Sequence, residues 1–345
     1  MSSNVFYRNV RSRELLELFL LSAISSLLLL RLYLHAAGYP QLIHGGLHIA
    51  HMLWGGLLMV GSVTIMLTYL GKRTQRIAVI VGGVGFGVFI DELGKFVTRD
   101  NNYFFRPAVG IIYAIFAILY LLFNFLGRTR QLSSREYQLN ALSQLEEAIV
   151  RNMDVTEKAR VQWLIDQADP KDPLTAHLQQ ILDNVQAIPA PRPSRIRRVV
   201  SRLERQYQHF WQRKSSSRWV QIFFVAEVAV FTLAVSANIY SSIHGVFMMS
   251  PDYLSSETGF AFGQLASALV AVAFTTMGVV ALPRSRFRAY EQFRRATLVN
   301  LFLTEFFIFA RTGFEALPGF IFNLVLLGLI SYAQHQERTL RTKKG

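Results

Sequence analysis

Apolar runs broken by short polar turns fill most of this chain, and each is about twenty residues long, enough for a helix to cross roughly 30 Å of hydrocarbon. The pattern predicts spans near 14–36, 45–70, 76–98, 107–127, 219–243, 259–282, 296–313 and 317–334. The first run is too long for a signal-peptide core and no small-residue cleavage site follows it, so it reads as a true span. Between the fourth and fifth runs, residues 128–218 are polar and helical in pattern. Ser133 with Glu136, and Asp154 with Glu157, have the spacing of capping boxes, while Pro170, Pro173 and the stretch Ile188 to Pro193 punctuate the segment. Three short helices, a proline linker and a basic amphipathic helix over 194–213 are expected. In the last of these Arg195, Arg198, Arg202 and Arg205 share one face, which suits an anionic leaflet or a surface of the other three helices.

Residues 47–96 laid over 260–309, an offset of 213, superimpose the second and third spans on the sixth and seventh. His51 then falls on Gln264, Glu92 on Glu305, Phe96 on Phe309 and Arg73 on Arg286; slightly further on, Pro107 falls on Pro318. The predicted fold is all-α and polytopic. It has about eight transmembrane helices in two four-helix repeats, over 1–127 and 219–345, with a cytoplasmic helical insert over 128–218.

Composition agrees with a membrane class: of 345 residues 52% are hydrophobic, and 27 are Phe. The net charge of +14 would suit nucleic acid if it were clustered, but it is dealt out between alternate spans. Arg8, Arg11 and Arg13 precede the first; Lys72, Arg73 and Arg76 follow the second; Arg284, Arg286 and Arg288 follow the sixth; Arg338, Arg341, Lys343 and Lys344 end the chain. That is the positive-inside pattern, which predicts an inner (cytoplasmic) membrane protein with both termini in the cytoplasm and no nucleic-acid partner. The expected partners are the lipid bilayer and a cytoplasmic protein met through 128–218. There is no cysteine, which excludes disulfides, thiolate nucleophiles and cysteine-held clusters.

Candidate chemistry lies in ionisable residues at membrane depth, which are costly enough to suggest function. His44, His48 and His51 are spaced for one face of a helix, and Asp91 and Glu92 should stand at the same height on the next span. Such a set could hold a divalent metal ion, with Asp91 or Glu92 as catalytic base for a bound water, or could bind protons or a solute. It could also be a structural network, because Lys95 and Arg99 follow the two carboxylates at helical spacing. Gly82, Gly83, Gly85 and Gly87 mark a close helix approach. Glu305 is the counterpart of Glu92 in the second half, and His244, followed by Met248 and Met249, is a weaker soft-metal candidate. Glu14 and Glu227 sit near basic clusters, where an interfacial ion pair is expected, and Arg31 is expected to snorkel outward.

The His44–His48 spacing is that of zinc-dependent ceramidase-like and adiponectin-receptor-like hydrolases, but it falls on the second span and no late span carries a partner pair. No named family is therefore indicated. The leading functional expectation is cation or proton-coupled solute binding and transport. A membrane-embedded metal-dependent hydrolase acting on a lipid-like substrate is the alternative, and a scaffold recruiting a partner through 128–218 is the third.

Overall fold

The computed structural model describes residues 6–37, 43–44, 47–48, 51–93, 97, 105–127, 132–150, 153–189 and 256–342. The expected span 219–243, the basic helix 194–213 and Lys95, Arg99, Glu227, His244, Met248 and Met249 lie outside the described residues. Apart from one hairpin with two residues in each strand, every described element is helical. Among the described residues, six helical stretches are long and apolar enough to cross a membrane: Ser12–Leu34, His51–Thr68, Lys72–Asp91, Arg106–Leu126, Gly259–Ala281 and Arg286–Ser331. The protein is a multi-pass membrane protein.

The chain divides into two compact units, 1–93 with 118–194 and 94–117 with 195–345. In the first, α1 (Ser12–Ala36) and α2 (His51–Thr68) both pack on α3 (Lys72–Asp91). Glycines explain the closeness. A Cβ on Gly83 would stand 2.5 Å from the Phe19 carbonyl oxygen, and one on Gly87 would stand 2.2 Å from that of Ala23. On the α2 side, a Cβ on Gly85 would stand 2.7 Å from the Gly55 carbonyl oxygen. Two stripes of small residues on one helix thus admit two neighbours at backbone contact. Serine hydroxyls stitch the same faces, Ser62 donating to the Ala78 carbonyl at 2.6 Å and Ser26 to that of Val84 at 3.2 Å.

The same unit holds the polar insert as α5 (Ser134–Val150), α6 (Val155–Asp166) and α7 (Pro173–Asn184). Both capping boxes form: Asp154 accepts from the Thr156 and Glu157 amides, and Ser133 and Glu136 cap α5. Leu145, Met153, Val161, Leu164, Leu178 and Leu182 form its core, with Val10 of the N-terminal segment packed against it. The Val10 amide donates to Asn140 at 2.9 Å, and Lys72 at the start of α3 pairs with Glu147 at 2.7 Å. The insert therefore rests on the N-terminal segment and the α2–α3 turn, where Glu14 also pairs with Arg76 and, at 3.6 Å, with Arg11.

In the second unit, the α4 helix (Arg106–Leu126) contributes its first half, residues 106–117. It joins α8 (Ser256–Ala281) and a long apolar stretch that doubles back on itself. That stretch runs through α9 (Arg286–Val299), a π-helical turn (Asn300–Thr304) and α10 (Glu305–Thr312), reverses in a 3-10 turn (Gly313–Ala316) and returns as α11 (Leu317–Thr342). Gly313 enters the reversal at φ +66°, a left-handed conformation that costs glycine least. The two limbs are antiparallel neighbours, with Phe293 near the start of one clustered with Ile330 near the end of the other, and Phe309 and Phe320 edge to face beside the turn.

Candidate functional site

One polar cluster forms where α1 ends, α2 begins and α3 ends, and the helix periodicities bring it together. Along α3, Gly83 and Gly87 face α1, and Asp91 is the next position of that stripe. Gly82 and Gly85 face α2, and Glu92 continues theirs. On α1, Leu20, Ala23 and Leu27 are buried, and Arg31 is one turn further on the same face. On α2, Gly55 contacts α3, and His51 lies one turn earlier. Each neighbour thus delivers one basic side chain to the paired carboxylates.

The contacts follow from that placement. Arg31 donates from Nε to the Asp91 carboxylate and from Nη2 to the Asp91 backbone carbonyl at 3.0 Å, which satisfies an acceptor at the helix C-terminus. His51 lies between the two acids, with Nε2 at 3.1 Å from Asp91 Oδ2 and Nδ1 at 3.3 Å from Glu92 Oε1. Glu92 also accepts the Met52 backbone N–H at 3.0 Å, one of the donors that the first turn of α2 leaves without an intrahelical partner. Asp91 and Glu92 have no exposed side-chain surface, whereas His51 is 27% and Arg31 14% exposed.

Two expectations change here. His44 and His48 do not share a helical face with His51, because the helix begins at His51. Both lie on the short antiparallel strands Ile43–His44 and Leu47–His48, with Ile43 paired to His48 and His44 to Leu47. A Gly-Gly pair between two short apolar segments is a strong turn signal, and it overrides the helical spacing of the imidazoles. Arg31 does not snorkel outward either, since Asp91 offers it a buried partner. The sequence signal for this pairing was available in the Leu20, Ala23, Leu27, Arg31 stripe, which puts the guanidinium on the packed face of α1.

Among the described residues no group of three or more His, Asp or Glu side chains is arranged to hold a metal ion. The side chains of His44 and His48 lie outside the described set. The His51 ring presents one nitrogen to each carboxylate. A neutral imidazole has one N–H, whereas the imidazolium has two, one for each facing carboxylate.

Glu305, the expected counterpart of Glu92, is in the second unit and is built differently. It is 2% exposed and accepts the Asn323 side-chain amide at 2.8 Å. Arg311 does not reach it and donates instead to Gln264 at 2.7 Å. Against known protein families, curated proteins and solved structures, the chain finds no match.

Proposed function

We propose that this protein is a proton-coupled membrane carrier for a cation or small solute, in which Arg31, His51, Asp91 and Glu92 form the proton-binding centre. The observation that carries the reading is the half-buried His51 ring held between two sealed carboxylates, with Arg31 on the far side of Asp91. Protonation of the imidazole changes the net charge of the four groups from negative to neutral and alters both ring contacts at once. A solute that approaches the exposed edge of His51 therefore meets a different field in each state. Where those contacts loosen, the Asp91–Arg31 and Glu92–Met52 bonds anchor the carboxylates to α1 and α2. Helix packing and proton occupancy are coupled in this way.

The reading extends to topology. Eight spans would arise from five separate described helices, the doubled-back stretch 286–331 counted twice, and 219–243. The N-terminal segment, the insert and the α2–α3 turn meet at one end of the first-unit helices, and the N-terminal segment and the turn are rich in Lys and Arg. This supports a cytoplasmic insert and an inner-membrane protein with the His51 centre toward the opposite face. Division into units 1–127 and 219–345 about an insert at 128–218, with the 213-residue repeat, belongs to the same proposal. The paired basic turns at Lys72–Arg76 and Arg284–Arg288 support it.

The test is proton flux in proteoliposomes loaded with a pH-sensitive dye, screened against alkali cations and panels of amino acids, sugars and organic acids. The reading expects at least one solute to drive proton entry, with coupling lost in His51→Gln. If no cation or solute alters the proton gradient, or if His51→Gln couples as the wild type does, this centre is not the proton site of a carrier.

A further inference from the structure

The second unit contains a buried acid that the His51 centre does not use. Glu305 lies inside an apolar stretch long enough to cross a membrane, and its side chain is all but inaccessible. Oε1 is held by Asn323, while Oε2 is buried with no hydrogen-bond partner. No described lysine, arginine or histidine pairs with it. Tyr113 of α4 is the titratable neighbour. Asn323 and Gly319 face the carboxyl from α11. The α8 helix meets this segment through Phe260 and Gly263 against Phe306 and Phe307. Arg311 is occupied by Gln264, and Glu291 by Arg295.

The backbone is specialised at the same point. The Glu305 N–H donates to the Asn300 carbonyl, five residues back instead of four, and closes a π-helical turn. The Leu301 carbonyl, which a regular helix would offer to that N–H, accepts the Tyr113 hydroxyl. Single π turns inside helices are rare and concentrate at functional positions, because they give up regular bonding to re-aim a side chain. Here the turn ends on a residue with a buried carboxyl oxygen left open. An ionised carboxylate in this setting would be desolvated with a single amide donor to offset it, whereas a carboxylic acid carries its own hydrogen.

We propose that Glu305 is a second, independent proton-binding site: its carboxyl takes up a proton at Oε2 and releases it again, while Asn323 holds Oε1. The exchange is a plain acid–base equilibrium, in which carboxylate plus a proton from water gives the acid and no other bond changes. The site does not depend on the His51 centre carrying a solute, and it can be tested without transport.

The experiment is an infrared pH titration of the whole purified protein in lipid, between about pH 3 and pH 10, a window that brackets the ordinary and strongly raised titration ranges of carboxyl groups. The expected result is a carboxylic-acid C=O band that appears as pH falls, shifts in heavy water and is missing from Glu305→Gln. Asn323→Ala keeps the acid but removes the donor to Oε1, so it should retain the band at higher frequency, and this variant carries the assignment if Glu305→Gln does not fold. His51→Gln should leave the band in place. Absence of any acid band that Asn323→Ala moves would overturn the proposal. A band that sodium suppresses at constant pH would also overturn it, by assigning the site to a metal cation in place of the proton.

Discussion

Asp91 and Glu305 are both acidic, both lie in apolar helices and both are sealed from solvent, yet their surroundings differ in kind. Asp91 is gripped by a guanidinium and faced by an imidazole, and the adjacent Glu92 sits on the first amides of α2. Glu305 has one neutral amide and an open oxygen. A buried charge is tolerated where an opposite charge and hydrogen bonds are fixed around it. The first unit supplies these through three helices in backbone contact. In the second, the π turn and the aromatic packing of Tyr113 on Phe309 and Phe320 supply shape but no cation. One acid is thus set among opposite charges and the other among neutral groups.

Breaking the first arrangement should have the largest effect. Arg31→Leu, or Asp91→Asn, leaves a buried charge without its partner and is expected to cost about 3–5 kcal/mol in unfolding from mixed micelles. The Arg31→Leu, Asp91→Leu double variant should recover much of that loss. An additive double variant would show that the two side chains do not act as a pair. Next in size is Gly87→Val, since a Cβ there would stand 2.1 Å from Ser26 Oγ. Separating α1 from α3 in this way is expected to cost about 1–3 kcal/mol, read as a lower Tm together with weakened proton coupling. If coupling survives unchanged, the helix approach is not what aligns Arg31 with Asp91.

Glu305→Gln gives the sharpest contrast. An amide resembles a carboxylic acid in size and neutrality, so the stability change is expected to stay within about 1 kcal/mol. A loss as large as that of Asp91→Asn would mean that Glu305 is charged and paired after all. The smallest effect is expected in the insert. The Ser133 backbone N–H, joined by the Arg8 backbone N–H and the Ser133 hydroxyl, holds the Glu136 carboxyl below the usual carboxylate range. A lowered folded value means that the stabilisation is present above the unfolded value, near pH 4.3 or so, and fades as pH falls through the folded one. Glu136→Gln should flatten this acid limb by about half a kcal/mol at most, because the group is exposed and screened. Amide exchange at the start of α5 would report it.

The apolar membrane-length helices and the capped helix starts at Ser133 and Asp154 were legible in the sequence because hydrophobic length and capping are local properties. Asp154 with Glu157 needed only a three-residue spacing to be read as a helix start. The acids of the site were legible too, since Asp91 and Glu92 are conspicuous in an apolar run. Their partners were less so. His44 and His48 share the helical register of His51, and only competition between a helix and a Gly-Gly hairpin decides the outcome.

By itself, then, the sequence determined a multi-pass helical membrane protein and a pair of acids at the end of a glycine-rich span. Tertiary structure decided which cation meets which acid. Arg31 and Asp91 are sixty residues apart, and their meeting depends on the glycine stripe of α3 admitting α1 at backbone distance. Tertiary structure also decided that Glu305 ends a π turn and keeps an open oxygen. Periodicity along one helix cannot report the turn, because the Leu301 carbonyl is taken by Tyr113 from a distant segment. Local chemistry placed the charges on their helices, and packing between helices determined their partners.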